Sequence, residues 1–308
     1  MKAVMYHYVR ESEPDLPSFR YLHAEDFASQ LDFFAQEYGI ISRTQFHESL
    51  RTGIPAQGMV LTFDDGVIDH YRYVYPLLKE RGLWGIFYVP SGPYHRHTLL
   101  DVHRVHMLLG RLGGEALLAA LEAQITPDML IEGSEKFSAT TYTTQQNDDA
   151  TTRAKQLINY YVKPECKEAL LASLMQSTFG DEAALTSRFY INAAQMREMA
   201  ENGMSIGSHG DSHTLMSHLD YAQQKHEITH SFGFLEEICG EKLEKSFCYP
   251  YGGDQSFTRE TTEILADYGT EYAFSVYPAD IETADLKEKY RLPRYDCNIF
   301  PHGKARLG

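Results

Sequence analysis

What this sequence has little of is positive charge: 28 Lys and Arg stand against 43 Asp and Glu, a formal net charge of −15. Nucleic-acid affinity is carried largely by Lys and Arg displacing counterions, so the balance argues against a nucleic-acid partner. Cysteine is scarce as well. Cys166, Cys239, Cys248 and Cys297 are widely spaced, with no Cys-x-x-Cys pair. That argues against a disulfide framework or a structural zinc site and suggests buried free thiols in a reducing compartment. No apolar run reaches the roughly 18 residues of a membrane span, and Met1 to Tyr8 enter a strand-like pattern without an h-region or cleavage site. The expectation is a cytoplasmic protein with no membrane insertion. No repeat of fixed period is visible.

What is present is apolar and aromatic material: 43% hydrophobic residues in a chain of 308, with 21 Tyr and 16 Phe. This is enough for a sizeable core. Ala3 to Val9 reads as a short buried strand, and His23 to Tyr38 as a helix with Phe27, Leu31 and Phe34 at helical spacing before Gly39. Gly58 to Phe63 is a second strand, followed by a helix through Tyr71, Val74 and Leu78 that stops at Gly82, and Gly85 to Val89 a third. Between Pro90 and Arg188 the alternation breaks down. Leu99 to Leu112 and Gly114 to Ala123 look helical, Ser138 to Thr152 looks like an exposed loop, and residues 91–188 read as a helical insertion.

The alternation resumes with Asn192 as N-cap and Gln195 three residues on, then strand Ser205 to Ser208, helix Leu219 to Cys239 and strand Ser246 to Tyr249. Helix Thr258 to Tyr268 and strands Tyr272 to Val276 and Leu292 to Cys297 complete the order. Repeated strand–helix units favour an α/β fold with a parallel sheet closed or nearly closed into a barrel.

Asp64-Asp65, His209-x-x-x-His213 and Pro250-Tyr251-Gly252 each fall at or just past the C-terminal end of an expected strand, where parallel barrels build their sites. One carboxylate and two neutral imidazoles form a usual catalytic set for a divalent metal, zinc above all. Adjacent side chains at a strand end diverge, which allows Asp65 to ligate while Asp64 stays free to take a proton from water. Singly, each motif has a plainer reading as a turn or as surface histidines. The three in this order at three strand ends shift the balance.

Thr62-Phe63-Asp64-Asp65-Gly66 resembles the first motif of the polysaccharide deacetylase superfamily (carbohydrate esterase family 4, the NodB homology domain). Ser208-His209-Gly210-Asp211-Ser212-His213 resembles its second motif, and Phe247-Cys248-Tyr249-Pro250-Tyr251-Gly252 is similar to its third, in a divergent branch with Tyr-Pro-Tyr-Gly. The resemblance covers residues 1–90 and 189–300. It implies a distorted (β/α)7 barrel forming one catalytic domain over residues 1–308, with Asp64 as base and Asp65, His209 and His213 as metal triad. The main-chain N–H of Tyr251 would help hold the oxyanion. The third motif in many members begins with an Arg that steadies the base; Cys248 stands there in this chain, and Arg294 is the candidate to supply the cation. No clear Leu-x-His motif is present, so the general acid has no candidate, and His302 reads as a solvated histidine near the end of the chain.

Substrate contacts are assigned to His7, Tyr249 and Pro250, with His7 equally readable as a core histidine. Asp101, His103 and His106 can share a helix face in the insertion, either touching substrate or simply polar surface, and are not read as a second metal site. The expected reaction removes an N-acetyl or N-formyl group from a sugar, on a nucleotide- or lipid-linked intermediate of surface polysaccharide biosynthesis. The alternatives are an O-acetyl ester or non-sugar amide on the same metal centre, and a catalytically silent carbohydrate-binding homologue.

Overall fold

The computed structural model describes residues 1–131 and 148–307. The chain divides into two compact units, one of Met1–Glu11, Tyr21–His97 and Thr186–Arg306, the other of Ser12–Arg20, Thr98–Leu185 and Leu307–Gly308.

The first unit is built on seven parallel strands, numbered here along the chain: β1 Lys2–Tyr6, β2 Met59–Phe63, β3 Ile86–Val89, β4 Ser205–Ser208, β5 Ser246–Cys248, β6 Tyr272–Phe274 and β7 Tyr295–Asp296. In space they run β6-β5-β4-β3-β2-β1-β7, every pairing parallel, as a curled sheet with helices around it. This is a distorted (β/α)7 barrel. The distortion lies at the seam. Leu292 bridges to Phe274 of β6, whereas Tyr295 and Asp296 pair with Val4 and Met5 of β1. One segment therefore touches both edges of the sheet, interrupted by Pro293, which cannot donate to a ladder.

Strand periodicity sorts the side chains. Val4, Tyr6, Leu61, Phe63, Phe87, Val89 and Ile206 join one buried cluster with Phe27, Leu31 and Phe34 of helix Ala24–Glu37 and Met196 and Met199 of helix Ala193–Glu201. Residues of the opposite parity, Ala3, Val60, Ile86, Tyr88, Cys248, Tyr272 and Phe274, form a second cluster. Phe63 stacks between Tyr6 at 5.2 Å and Phe87 at 4.7 Å, and each such buried ring contributes about 1.5–3 kcal/mol. Capping boxes start helices Arg43–Thr52, Ala193–Glu201, Tyr221–Cys239 and Arg259–Tyr268, at Ser42, Asn192, Asp220 and Thr258.

From Thr98 to Leu185 the second unit is mainly helical among its described residues, with a two-residue bridge, Leu130 to Val162. Helix Asp101–Gln124 is broken at Gly113, whose φ of 75° only glycine adopts without strain. Arg104, 1% exposed, is gripped by Glu168 and Glu182 at 2.6–3.1 Å. The loop expected over Ser138 to Thr152 needs correction at its end: Asp148 caps a helix over Asp149–Gln156, its side chain accepting from the Thr151 N–H. Residues 138–147 of that segment lie outside the described residues. Among the described residues, no helix is long and apolar enough to cross a membrane.

Candidate active site

Asp64 follows directly on β2. Alternation along Met59–Phe63 gives it the parity of Val60 and Thr62, away from helices Ala24–Glu37 and Ala193–Glu201. There the Arg294 guanidinium meets it with two parallel bonds, Nη1 to Oδ1 and Nη2 to Oδ2, both 2.8 Å. Arg294 is 0% exposed and donates also to Thr62 Oγ1 at 2.9 Å and to the Ser275 carbonyl at 3.2 Å. It can do this because it sits in the seam, one residue past Pro293. Burial alone would raise the Asp64 carboxyl, but the Arg294 charge and hydrogen bonds more than offset it and hold the group at about 2. The carboxylate is ionised at any physiological pH.

Asp65 has the parity of Phe63 and would face the helices if the strand continued. Instead its φ is +80°, a left-handed conformation, followed by Gly66 at +61°. The reversed backbone brings Asp65 Oδ1 to 3.3 Å from His209 Nε2 and 3.4 Å from His213 Nε2. His209 follows β4; its Nδ1 lies 2.7 Å from the Cys248 carbonyl. In the neutral ring, donation from Nδ1 to that oxygen leaves Nε2 as the lone-pair nitrogen facing Asp65. His213 also has a left-handed backbone, φ +57°. Strained residues of this kind persist only where surrounding structure holds them.

The loop between the histidines is held by Glu227. Its Oε2 accepts from the Asp211 and Ser212 N–H groups, both at 2.8 Å, and its Oε1 from the Ser212 hydroxyl at 2.6 Å. Sequence reasoning missed Glu227, although a signal was there. His226-Glu227-Ile228-Thr229-His230 has the spacing with which helices present two histidines to a metal. In that motif the Glu faces the cation; here it is buried and turned to the loop.

A divalent metal fits the Asp65, His209 and His213 donors. A tetrahedral cation with bonds of about 2.0–2.1 Å sets neighbouring donors about 3.3–3.4 Å apart, the spacing that Asp65 makes with both rings. Asp64, His209 and Cys248 form an overlapping group of ligand-type atoms. That group is the poorer fit: both oxygens of Asp64 are taken by the Arg294 guanidinium, and burial pushes the Cys248 thiol up, away from the thiolate a metal needs.

The other expected site residues are placed unevenly. Tyr251, 55% exposed with φ +64°, sets its ring 5.0 Å from that of His213. Pro250 is buried in the same turn. His7 is exposed just past β1, and its carbonyl lies 2.9 Å from His70 Nε2. Tyr249 has a packing place: 1% exposed, it stacks on Phe257 and donates its hydroxyl to the Tyr290 carbonyl at 2.7 Å. In the second unit, Asp101 forms ion pairs with Lys167 at 3.1 Å and Arg104 at 3.5 Å, and His103 is fully buried, not on a polar helix surface. His106 is partly buried, its ring 6.5 Å from that of His103.

The family described as polysaccharide deacetylase matches residues 133–273, a stretch that holds both histidines and the Tyr249–Gly252 turn and leaves Asp64 and Asp65 outside. No curated protein matches the chain. Among solved structures it is similar to the Streptococcus pyogenes deacetylase PplD in complex with acetate, at 17% identity and a TM-score of 0.58 over 96% of this chain and 91% of that one. It is similar also to a de-N-acetylase from Aggregatibacter actinomycetemcomitans (14%, 0.53, 95% and 93%) and to IcaB from Ammonifex degensii (19%, 0.50, 89% and 82%). At such identities the likeness to these structures is one of fold. The family match thus covers the second half of the barrel unit's site, and the likeness over the rest of the chain is one of fold.

Proposed function

We propose that the protein is a metal-dependent hydrolase that removes an N-acetyl or N-formyl group from a sugar. The observation that carries the reading is a division of labour between neighbouring carboxylates: Asp65 converges with two imidazoles, while Asp64 is held apart by Arg294. Asp65, His209 and His213 would hold one divalent cation, most consistent with zinc given one carboxylate and two imidazoles. When bound there, such a cation supplies Lewis acidity toward the acyl oxygen and acidifies water.

Asp64 is the base. Kept ionised, it accepts the proton of the attacking water, and the bidentate guanidinium fixes the direction from which it does so. The main-chain N–H of Tyr251 is assigned to the developing oxyanion. His7, Pro250 and the exposed Tyr251 ring offer contacts to a sugar, and the acid that protonates the departing amine has no assigned residue. The de-N-acetylase among the structures of like fold favours an amide substrate over the alternative, an O-acetyl ester. We place the protein in the cytoplasm, acting on a nucleotide- or lipid-linked intermediate of surface polysaccharide biosynthesis. We take residues 1–308 as one catalytic domain with 91–188 as an insertion.

The test is Asp64→Asn, which keeps shape and removes proton acceptance. General-base catalysis contributes about 100- to 10,000-fold, so acetate or formate release should fall by that order while bound metal and sugar affinity persist. Loss of the metal would exchange the roles of the two aspartates; full activity would overturn the mechanism.

A further inference from the structure

We propose a second metal-binding site on the surface of the barrel unit, formed by His95 and His230 with Asp211 and flanked by His226, for a divalent cation that favours imidazole, in the class of zinc, nickel or copper. His226 and His230 are four residues apart on helix Tyr221–Cys239, so their side chains share one face. Their rings lie parallel, centroids 5.0 Å apart. A third ring arrives from a different element: His95, on the short helix Gly92–Arg96, is 4.7 Å from His230. Phe234 braces it edge-on at 5.1 Å. Asp211 Oδ1 lies 3.1 Å from His230 Nδ1, near the donor spacing of about 3.3 Å expected around a tetrahedral cation. Ligand atoms of His95, Asp211 and His230 all fall within 4.8 Å of one another.

The surroundings narrow the class of cation. Asp211 is buried, with Oδ1 accepting also from Ser91 at 2.5 Å and Oδ2 from Arg96 at 2.7 Å. Arg96 thus neutralises the one carboxylate, and the imidazoles must carry the affinity. Hard cations that want several charged oxygens, calcium and magnesium, are disfavoured, and borderline cations are favoured. His95, His226 and His230 are exposed, so a cation can enter without the protein opening. The position is distinct from Asp65, His209 and His213, yet Asp211 stands in the loop between the latter two histidines.

The experiment removes the other candidate centre first. Full-length protein carrying His209→Ala and His213→Ala, stripped with chelator, is titrated with zinc alone by calorimetry, and its thermal midpoint is read with and without micromolar zinc. One zinc per chain and a raised midpoint are expected, since a ligand that binds only the folded state stabilises it. Adding His95→Ala and His230→Ala, both at exposed positions, should weaken zinc binding at least about tenfold and abolish the midpoint shift. No binding in the first variant, or undiminished binding in the second, would overturn the proposal. Neither outcome depends on whether Asp65, His209 and His213 hold a cation.

Discussion

Asp64 and Glu244 are both buried carboxylates of the barrel unit, at opposite ends of its sheet, and both are held at about 2. The means differ. Glu244 precedes β5, among the N-terminal ends of the strands. Burial would raise it, but hydrogen bonds from His47, Ser205 and Tyr272 more than offset this, with Arg43 adding an ion pair at 2.9 Å. Its charge is shared among three elements of the fold, helix Arg43–Thr52, β4 and β6. Asp64, past the C-terminal end of β2, answers to one planar cation. Backbone strain divides the same way. Of the five described non-glycine residues with left-handed backbone, Asp65, His213 and Tyr251 follow the C-terminal ends of β2, β4 and β5. One end of the sheet ties the fold together; the other holds side chains in place at a conformational cost of about 1–3 kcal/mol per strained residue.

Removing the guanidinium gives the largest expected break in this comparison. Arg294→Met leaves Asp64 buried and unpaired and should cost about 3–5 kcal/mol in urea unfolding. The double variant with Asp64→Asn should recover most of that loss, which distinguishes lost pairing from lost packing.

Glu244 should show itself through pH. Its folded value lies below the ordinary 4.5, so its contribution is complete above about pH 4.5 and disappears as pH falls toward 2, at most about 3 kcal/mol. Its partner His47 is raised by the Glu244 hydrogen bond against the opposing effect of burial, so its share is present below the ordinary 6.5 and lost as pH rises through its folded value. Unfolding curves of Glu244→Gln should be flatter than wild type across pH 2–4.5; equal slopes would contradict the assignment.

The third expectation concerns the strained end alone. Glu227→Leu removes the acceptor of two N–H groups and should lower zinc affinity about 10- to 100-fold, with a change of about 1–3 kcal/mol in folding stability. An unchanged zinc affinity, with stability reduced, would give Glu227 a purely structural place.

Strand and helix order was largely legible because burial repeats with period 2 or 3.6, and the Asn192–Gln195 capping box is found as read. The Asp64–Arg294 pair was legible through the resemblance, whose third motif in many members carries an Arg where Cys248 stands, together with the need of a buried carboxylate for a cation beside it. Helix Arg43–Thr52 was not visible because only Phe46 and Ser49 of it are buried, which leaves no apolar stripe. Tyr249 was assigned to substrate although its parity matches Phe247, with which it packs in a buried cluster; strict alternation would have given it a packing place. Glu227 depends on a loop meeting a helix fifteen residues later, a contact that local pattern does not encode.

The seam that delivers Arg294 has a consequence in time. Asp64 and its counter-charge are 230 residues apart in the chain. At synthesis rates of about 5–20 residues per second, roughly 10–50 s separate their emergence from the ribosome. Through that interval the Asp64 carboxylate lacks its Arg294 partner, while β1, β2 and β3 are already available to pair. The segment from Leu292 to Asp296, bridged to both β6 and β1, is the last of the seven-stranded sheet to be synthesised, and only with it does the counter-charge of Asp64 arrive.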